Sequence, residues 1–160
     1  MTVGYRRAVA ADVAAIHALL QQMAAEAGRS IAGSDTALRK YGFGPEPRFR
    51  AVLAEREGQS IGLALVFPEY SSWRGALGLY VQDLYVQPAA RGQGVASALI
   101  GAALACCEDW DPSYVTLMVD QDNITAQGWY ARQGFALRER GDLLILDGAA
   151  LARFARKVSA

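Results

Sequence analysis

Apolar positions recur along this chain in two rhythms, and each predicts an element. Spacing of three and four at Ile16, Leu19, Leu20 and Met23 predicts an amphipathic helix over Asp12–Ala27, closed by Gly28. A shorter helix is expected over Ser34–Tyr41, with Ser34 as its N-cap and Gly42 as its stop. Strand patterns occupy Thr2–Val9, Phe49–Glu55, Ser60–Phe67 and Leu77–Val86; Glu57-Gly58 reads as a hairpin turn and Pro68–Gly75 as a loop. Val95–Trp110 is expected to be a helix with Leu99, Ala103 and Cys106/Cys107 at core spacing, and Tyr114–Val119 a buried strand. A helix over Thr125–Gln133, stopped by Gly134, precedes a hairpin of Phe135–Arg140 and Leu143–Asp147 turning at Gly141-Asp142. A helix over Ala149–Val158 follows. The order βααβββαβαββα predicts one α/β domain over residues 1–160 with a mixed, mostly antiparallel sheet flanked by helices.

Two stretches carry candidate chemistry. In VQDLYVQPAARGQGVA, Val81 to Ala96, a strand ends at Pro88, Arg91-Gly92-Gln93-Gly94 turns, and a helix begins. The first N–H groups of a helix lack intrahelical partners and carry partial positive charge, so such a turn can cradle phosphate. It can equally be a plain strand-to-helix connection. Gly94 is followed by Val95-Ala96, which excludes the Gly-Lys-Ser/Thr ending of a nucleotide triphosphatase loop, and a Rossmann fingerprint lacks its third glycine. In VDQDNITAQGWYARQGF, Asn123 and Tyr130 stand seven residues apart on one helical face. Alone, they suit a helix cap and a core aromatic.

Composition narrows the field. The 160 residues have formal net charge zero and 52% apolar content, which excludes a disordered chain and gives no argument for nucleic acid or an anionic membrane as partner. No apolar run reaches membrane-spanning length, so a cytoplasmic protein is expected. Cys106 and Cys107 are adjacent on a helix and suit packing, not a disulfide or a reactive thiolate; with no His or Cys cluster, no metal is expected. His17, the only histidine, is expected to be solvent-facing or packed and not catalytic.

Taken together, the two stretches resemble the GNAT superfamily of acetyl-CoA-dependent N-acetyltransferases. Arg91, Gly94 and Ala96 match its pyrophosphate motif, and Asn123, Tyr130, Gly134 and Phe135 its Asn…Tyr-x-x-x-Gly-Phe helix. Tyr41-Gly42-Phe43-Gly44, Tyr70-Ser71-Ser72-Trp73-Arg74-Gly75 and Asp83-Leu84-Tyr85-Val86 look like the diamine (spermidine/spermine) branch, which includes relatives acting on thialysine. The likeness spans roughly residues 38–154.

The resemblance implies a set of roles. Leu84, Tyr85 and Val86 would line the pantetheine arm. Arg91, Gly92, Gln93, Gly94, Val95, Ala96 and Ser97 would wrap the pyrophosphate, and Asn123 and Ala126 would bind on the pantetheine side. Tyr130 would serve as general acid at the thioester sulfur: with a pKa near ~10 it keeps its proton at neutral pH. A homodimer is expected from the family alone.

The amine poses the harder problem, because an alkylammonium of pKa about 10.4 is only roughly one part in 10³ neutral at pH 7. The diamine branch has Glu-Asp where this chain has Gln82-Asp83, and Gln82 can hydrogen-bond an amine but cannot take its proton. Strict alternation would put Asp83 on the face opposite Gln82, unless a bulge redirects it. Asp83, Glu69 and a water chain are the candidate bases. Substrate discrimination is expected around Glu69, Tyr70, Trp73, Gln82, Asp83, Met118 and Asp142. The lost charge at Gln82 disfavours a polycation, so a monoamine or lysine-analogue amine is as suitable as a polyamine. Direct attack in a ternary complex is expected; the alternative is an acyl-CoA-binding module with weak or lost catalysis.

Overall fold

The computed structural model describes residues 2–137. The expected strand Leu143–Asp147, the helix Ala149–Val158, the turn with Asp142, and the end of Phe135–Arg140 lie outside the described residues. Phe135, Ala136 and Leu137 form no strand. The chain divides into two compact units, 1–121 and 122–160.

In the first unit, strands β1 (Gly4–Arg7), β2 (Arg50–Arg56), β3 (Gln59–Ser71), β4 (Ala76–Val86) and β5 (Val115–Leu117) form one sheet in the order β1-β2-β3-β4-β5. The first four are antiparallel; β5 runs parallel to β4. Helices α1 (Val13–Glu26) and α2 (Asp35–Phe43) pack on one face, and α3 (Val95–Cys106) on the other. On the first face α1 buries Val13, Ile16, Leu19 and Leu20 with Leu53 and Leu63; on the second Val95, Leu99, Ala103 and Cys107 meet Val52, Ala64, Val66, Leu79 and Val81. Each fully buried aliphatic side chain contributes on the order of 1.5–3 kcal/mol to this packing. Among the described residues, no helix is long and apolar enough to cross a membrane.

Local chemistry sets the element ends. Helix α1 stops at Gly28 (φ 65°), where Arg29 N–H donates to the Ala24 carbonyl and Gly28 N–H to that of Ala25, the paired bonds of a Schellman turn. Ser34 Oγ accepts from Ala37 N–H at 3.2 Å, so the expected cap of α2 is present. Gly42 does not stop that helix: it lies inside α2, where a side chain would strike the Phe49 ring, and Gly44 follows the last helical residue. The expected loop Pro68–Gly75 is half strand, since β3 and β4 stay paired out to Ser71 and Ala76.

Helix α3 ends at Cys106, short of Trp110. Arg50 of β2 donates to the Cys106 carbonyl at 3.0 Å, pairs with Asp109 and lies over the Trp110 ring at 4.0 Å, which bends Glu108–Trp110 into a separate 3-10 turn. Cys107 is buried and Cys106 half-buried, and both thiols are free. Strand β5 is shorter than expected and only half-buried. In the second unit, α4 (Ile124–Arg132) ends before Gly134 (φ 93°).

Candidate active site

The register of β3 against β4 slips by one residue. Leu65 faces Asp83 and Val66 faces Val81, leaving Gln82 as an extra residue in β4: a bulge. Side-chain parity therefore changes there. Leu79 and Val81 point into the α3-side core before the bulge, and Leu84 and Val86 after it. Asp83 falls on the other face, with Tyr85 and its cross-strand partner Leu65. Beside the bulge β4 also loses its parallel neighbour, because β5 pairs only with Leu79, Tyr80 and Val81 among the described residues.

A row of polar groups crosses that face. Phe67 and Tyr80 stack with ring centroids 4.8 Å apart, and Thr116, the partner of Tyr80 on β5, donates from Oγ1 to Glu69 Oε2 at 2.7 Å. Tyr114 lies across Gly78 and donates its hydroxyl to the Glu69 carbonyl at 3.0 Å. Burial, then the charges of Glu69 and Asp83, push the Tyr80 hydroxyl pKa up, so both carboxylates act on this tyrosine. Burial also raises the Asp83 carboxyl above the usual aspartate range. By contrast, hydrogen bonds hold Asp12, Glu26 and Asp109 below theirs. A carboxylate shifted upward by burial is a stronger proton acceptor.

Beyond the bulge β4 leads into the glycine turn. Gln87 N–H donates to Ile61 of β3 at 2.9 Å, so alternation directs the backbone groups of Val86 and Leu84 away from β3. The Val86 carbonyl receives Arg91 Nε at 2.8 Å. Gly92 (φ 73°) and Gly94 (φ 77°) need the left-handed region, and a side chain at either would enter open space. Gly94 is the N-cap of α3 and, among the described residues, no side-chain hydrogen bond caps that helix, so its N-terminal end keeps the character of an anion site.

Arg91 is also clamped: its Nη2 meets Glu26 Oε2 at 2.6 Å, while Tyr85 donates to Glu26 Oε1 at 2.5 Å and burial lifts the Tyr85 pKa to about 12. Glu26 was not among the expected residues. A carboxylate in the last turn of α1 opposes the helix dipole, a signal that it has a partner elsewhere.

In the second unit, Asn123 Oδ1 accepts from Ala126 N–H at 3.1 Å and caps α4, which leaves its NH₂ as the donor end. Tyr130 packs edge-on against Trp129 (5.0 Å) and Phe135 (5.4 Å), and burial raises its hydroxyl pKa.

Of the expected substrate residues, the structure brings Glu69 and Asp83 to one face. Alternation places Tyr70 on the opposite face from Glu69, and Trp73 is fully exposed in the β3–β4 turn. Met118 is exposed just past β5, and Gln82 is exposed at the bulge. Tyr80 and Thr116 were missed, although each is a polar residue within an apolar strand. His17 bonds Asp35 at 2.5 Å between α1 and α2, as befits a packing role.

The pattern of the Acetyltransferase (GNAT) family matches residues 14–135. This chain belongs to that family. GNAT members resembling it include the thialysine N-epsilon-acetyltransferases of Bos taurus, 32% identical, and Sus scrofa, 33% identical. Each alignment is 131 positions long and covers 66% of this chain and 76% of the relative. Among solved structures, an integron cassette protein from the mobile metagenome of V. cholerae shares the fold with a TM-score of 0.80 at 18% identity, over 98% of this chain and 99% of that one. The fold is also that of AAC(6')-Iy in complex with a bisubstrate analog, CoA-S-monomethyl-acetylneamine (TM-score 0.75, 17% identity, 91% and 98% covered). The chain is a GNAT acetyltransferase, and the expected α/β fold with a mixed sheet is present.

Proposed function

We propose that this acetyltransferase, as a single domain over residues 1–160, moves an acetyl group from acetyl-CoA to a primary amine of a small molecule by direct attack in a ternary complex. The observation that carries the proposal is the Gln82 bulge, which sets Asp83 in a polar row with its carboxyl pKa raised by burial. The residues present fit the cosubstrate: Gly92 and Gly94 leave open space before the start of α3, and Leu84 directs its backbone groups away from β3. Leu84 and Val86 would hold the pantetheine arm, Gly92 to Ser97 the pyrophosphate, and Asn123 the pantetheine side; Arg91 braces the turn from Val86 and Glu26. When bound, acetyl-CoA supplies an electrophilic thioester carbonyl and a thiolate leaving group.

The chain's own groups handle the protons. Asp83 accepts one proton from the substrate ammonium and so frees the lone pair that forms the N–C bond. Tyr130 donates its proton to the departing sulfur as the C–S bond breaks and is restored by the second proton, which the nitrogen sheds as the amide forms. Burial suits both, raising the carboxyl toward working pH and keeping the phenol protonated. Glu69, held by Thr116, attracts the incoming cation.

Gln82 withholds the second carboxylate a polycation would want, and the relatives' names point to thialysine. We therefore favour a lysine-analogue amine over spermine. We carry a homodimer over from the family resemblance and a cytoplasmic setting over from the sequence pattern; light scattering tests the first. CoA release with a panel of amines at pH 7 and pH 9 tests the activity. Turnover with lysine analogues above that with spermine supports the proposal. Tight acetyl-CoA binding without turnover at either pH would leave only a binding module.

A further inference from the structure

Arg56, the last residue of β2, stands behind the glycine turn. Its Nη2 donates to Gln93 Oε1 at 2.6 Å, and Gln93 Nε2 donates in turn to the Ala89 carbonyl at 3.1 Å. The Arg56 Nε is a buried nitrogen with no hydrogen-bond partner among the described residues. A guanidinium stays charged at any working pH, so an incompletely bonded one calls for a reason.

We propose that Arg56 is a positioning residue for the phosphate-binding turn, acting through Gln93. Gln93 is the one long side chain between Gly92 and Gly94. Tied back to Arg56 and Ala89, it cannot sweep across the open side of the turn, where the backbone must approach an anion closely. Arg56 also pairs with Gln59 across the β2–β3 hairpin, so the tie is anchored in the sheet. Its positive charge, held behind the turn, complements an anion in front of it. This inference rests on the acetyl-CoA proposal.

The test is steady-state kinetics with acetyl-CoA as the varied substrate. Arg56→Ala should raise the acetyl-CoA KM about five- to tenfold, with kcat at saturation within about twofold. Gln93→Ala should behave alike, and the double variant should be no worse than the worse single one. Arg48→Ala removes the same charge from a surface pair with Glu46 and should leave KM alone. Arg56→Lys keeps the charge without the fork and should fall between wild type and Arg56→Ala; should the alanine variant fail to fold, its KM against wild type decides. An unchanged KM, fully multiplicative effects, or an equal loss in Arg48→Ala overturns the inference. Calorimetry on the wild type separates the two levels: no saturable acetyl-CoA binding there defeats the parent proposal instead.

Discussion

The glycine turn and the polar row around Asp83 are built from different materials. From Arg91 to Ser97 the candidate binding groups are backbone N–H groups, supplied by consecutive residues and aimed by two left-handed glycines. Around Asp83 they are side chains from three strands, Glu69, Tyr80, Asp83 and Thr116, which share a face because of register and one bulge. A backbone site is insensitive to most side-chain changes but intolerant of a lost glycine. A side-chain site should fail one group at a time. The first suits a ligand common to a whole family, the second an acceptor that varies among its members.

Substitutions can sharpen that contrast. The largest effect is expected from Asp83→Asn: kcat/KM for the amine at pH 7 should fall by about 10²–10⁴-fold while acetyl-CoA affinity by calorimetry holds. Tyr130→Phe should lower kcat by about 10²-fold with acetyl-CoA affinity again retained, since it removes a donor and little surface. Gly94→Val should do the reverse. Its backbone needs φ 77°, so acetyl-CoA affinity should drop about tenfold or more, whereas the amine KM at saturating acetyl-CoA should change little. A Gly94→Val variant that binds acetyl-CoA normally would contradict a phosphate site built from the backbone of this turn.

The smallest effect concerns stability. Burial raises the Asp83 pKa, so the folded chain binds that proton more tightly than the unfolded one, and stability is lost as pH rises from the ordinary aspartate value through the raised one. Asp83→Asn should therefore melt higher than wild type at pH 7, with the advantage vanishing below about pH 3.9. Equal melting temperatures at pH 7 would show that the carboxylate is not held at a cost.

The two regions also differ in how far the sequence discloses them. Strand end, glycines and helix start lie within one run, so the turn can be read locally; the tie from Arg56 cannot, because β2 lies 37 residues away from Gln93. Ser34 and Gly28 announce their roles, whereas Gly42 misleads, since its small size serves the Phe49 ring and not a helix stop. The face carrying Asp83 depends on the bulge, a property of the β3–β4 pairing that neither strand contains alone. Polar Tyr80 and Thr116 inside apolar strands were visible, but their shared face needed the parallel register of β4 and β5.

In the proposed reaction Asp83 takes the proton from the amine. The most direct test of that role is the ratio of wild-type to Asp83→Asn kcat/KM for one amine across pH. The ratio should be largest near neutrality, fall toward one as pH drops below the raised Asp83 pKa, and shrink again as pH approaches the amine's pKa near ~10.4, where the substrate needs no base. A ratio near one at pH 7, or one that ignores pH, would contradict the assignment.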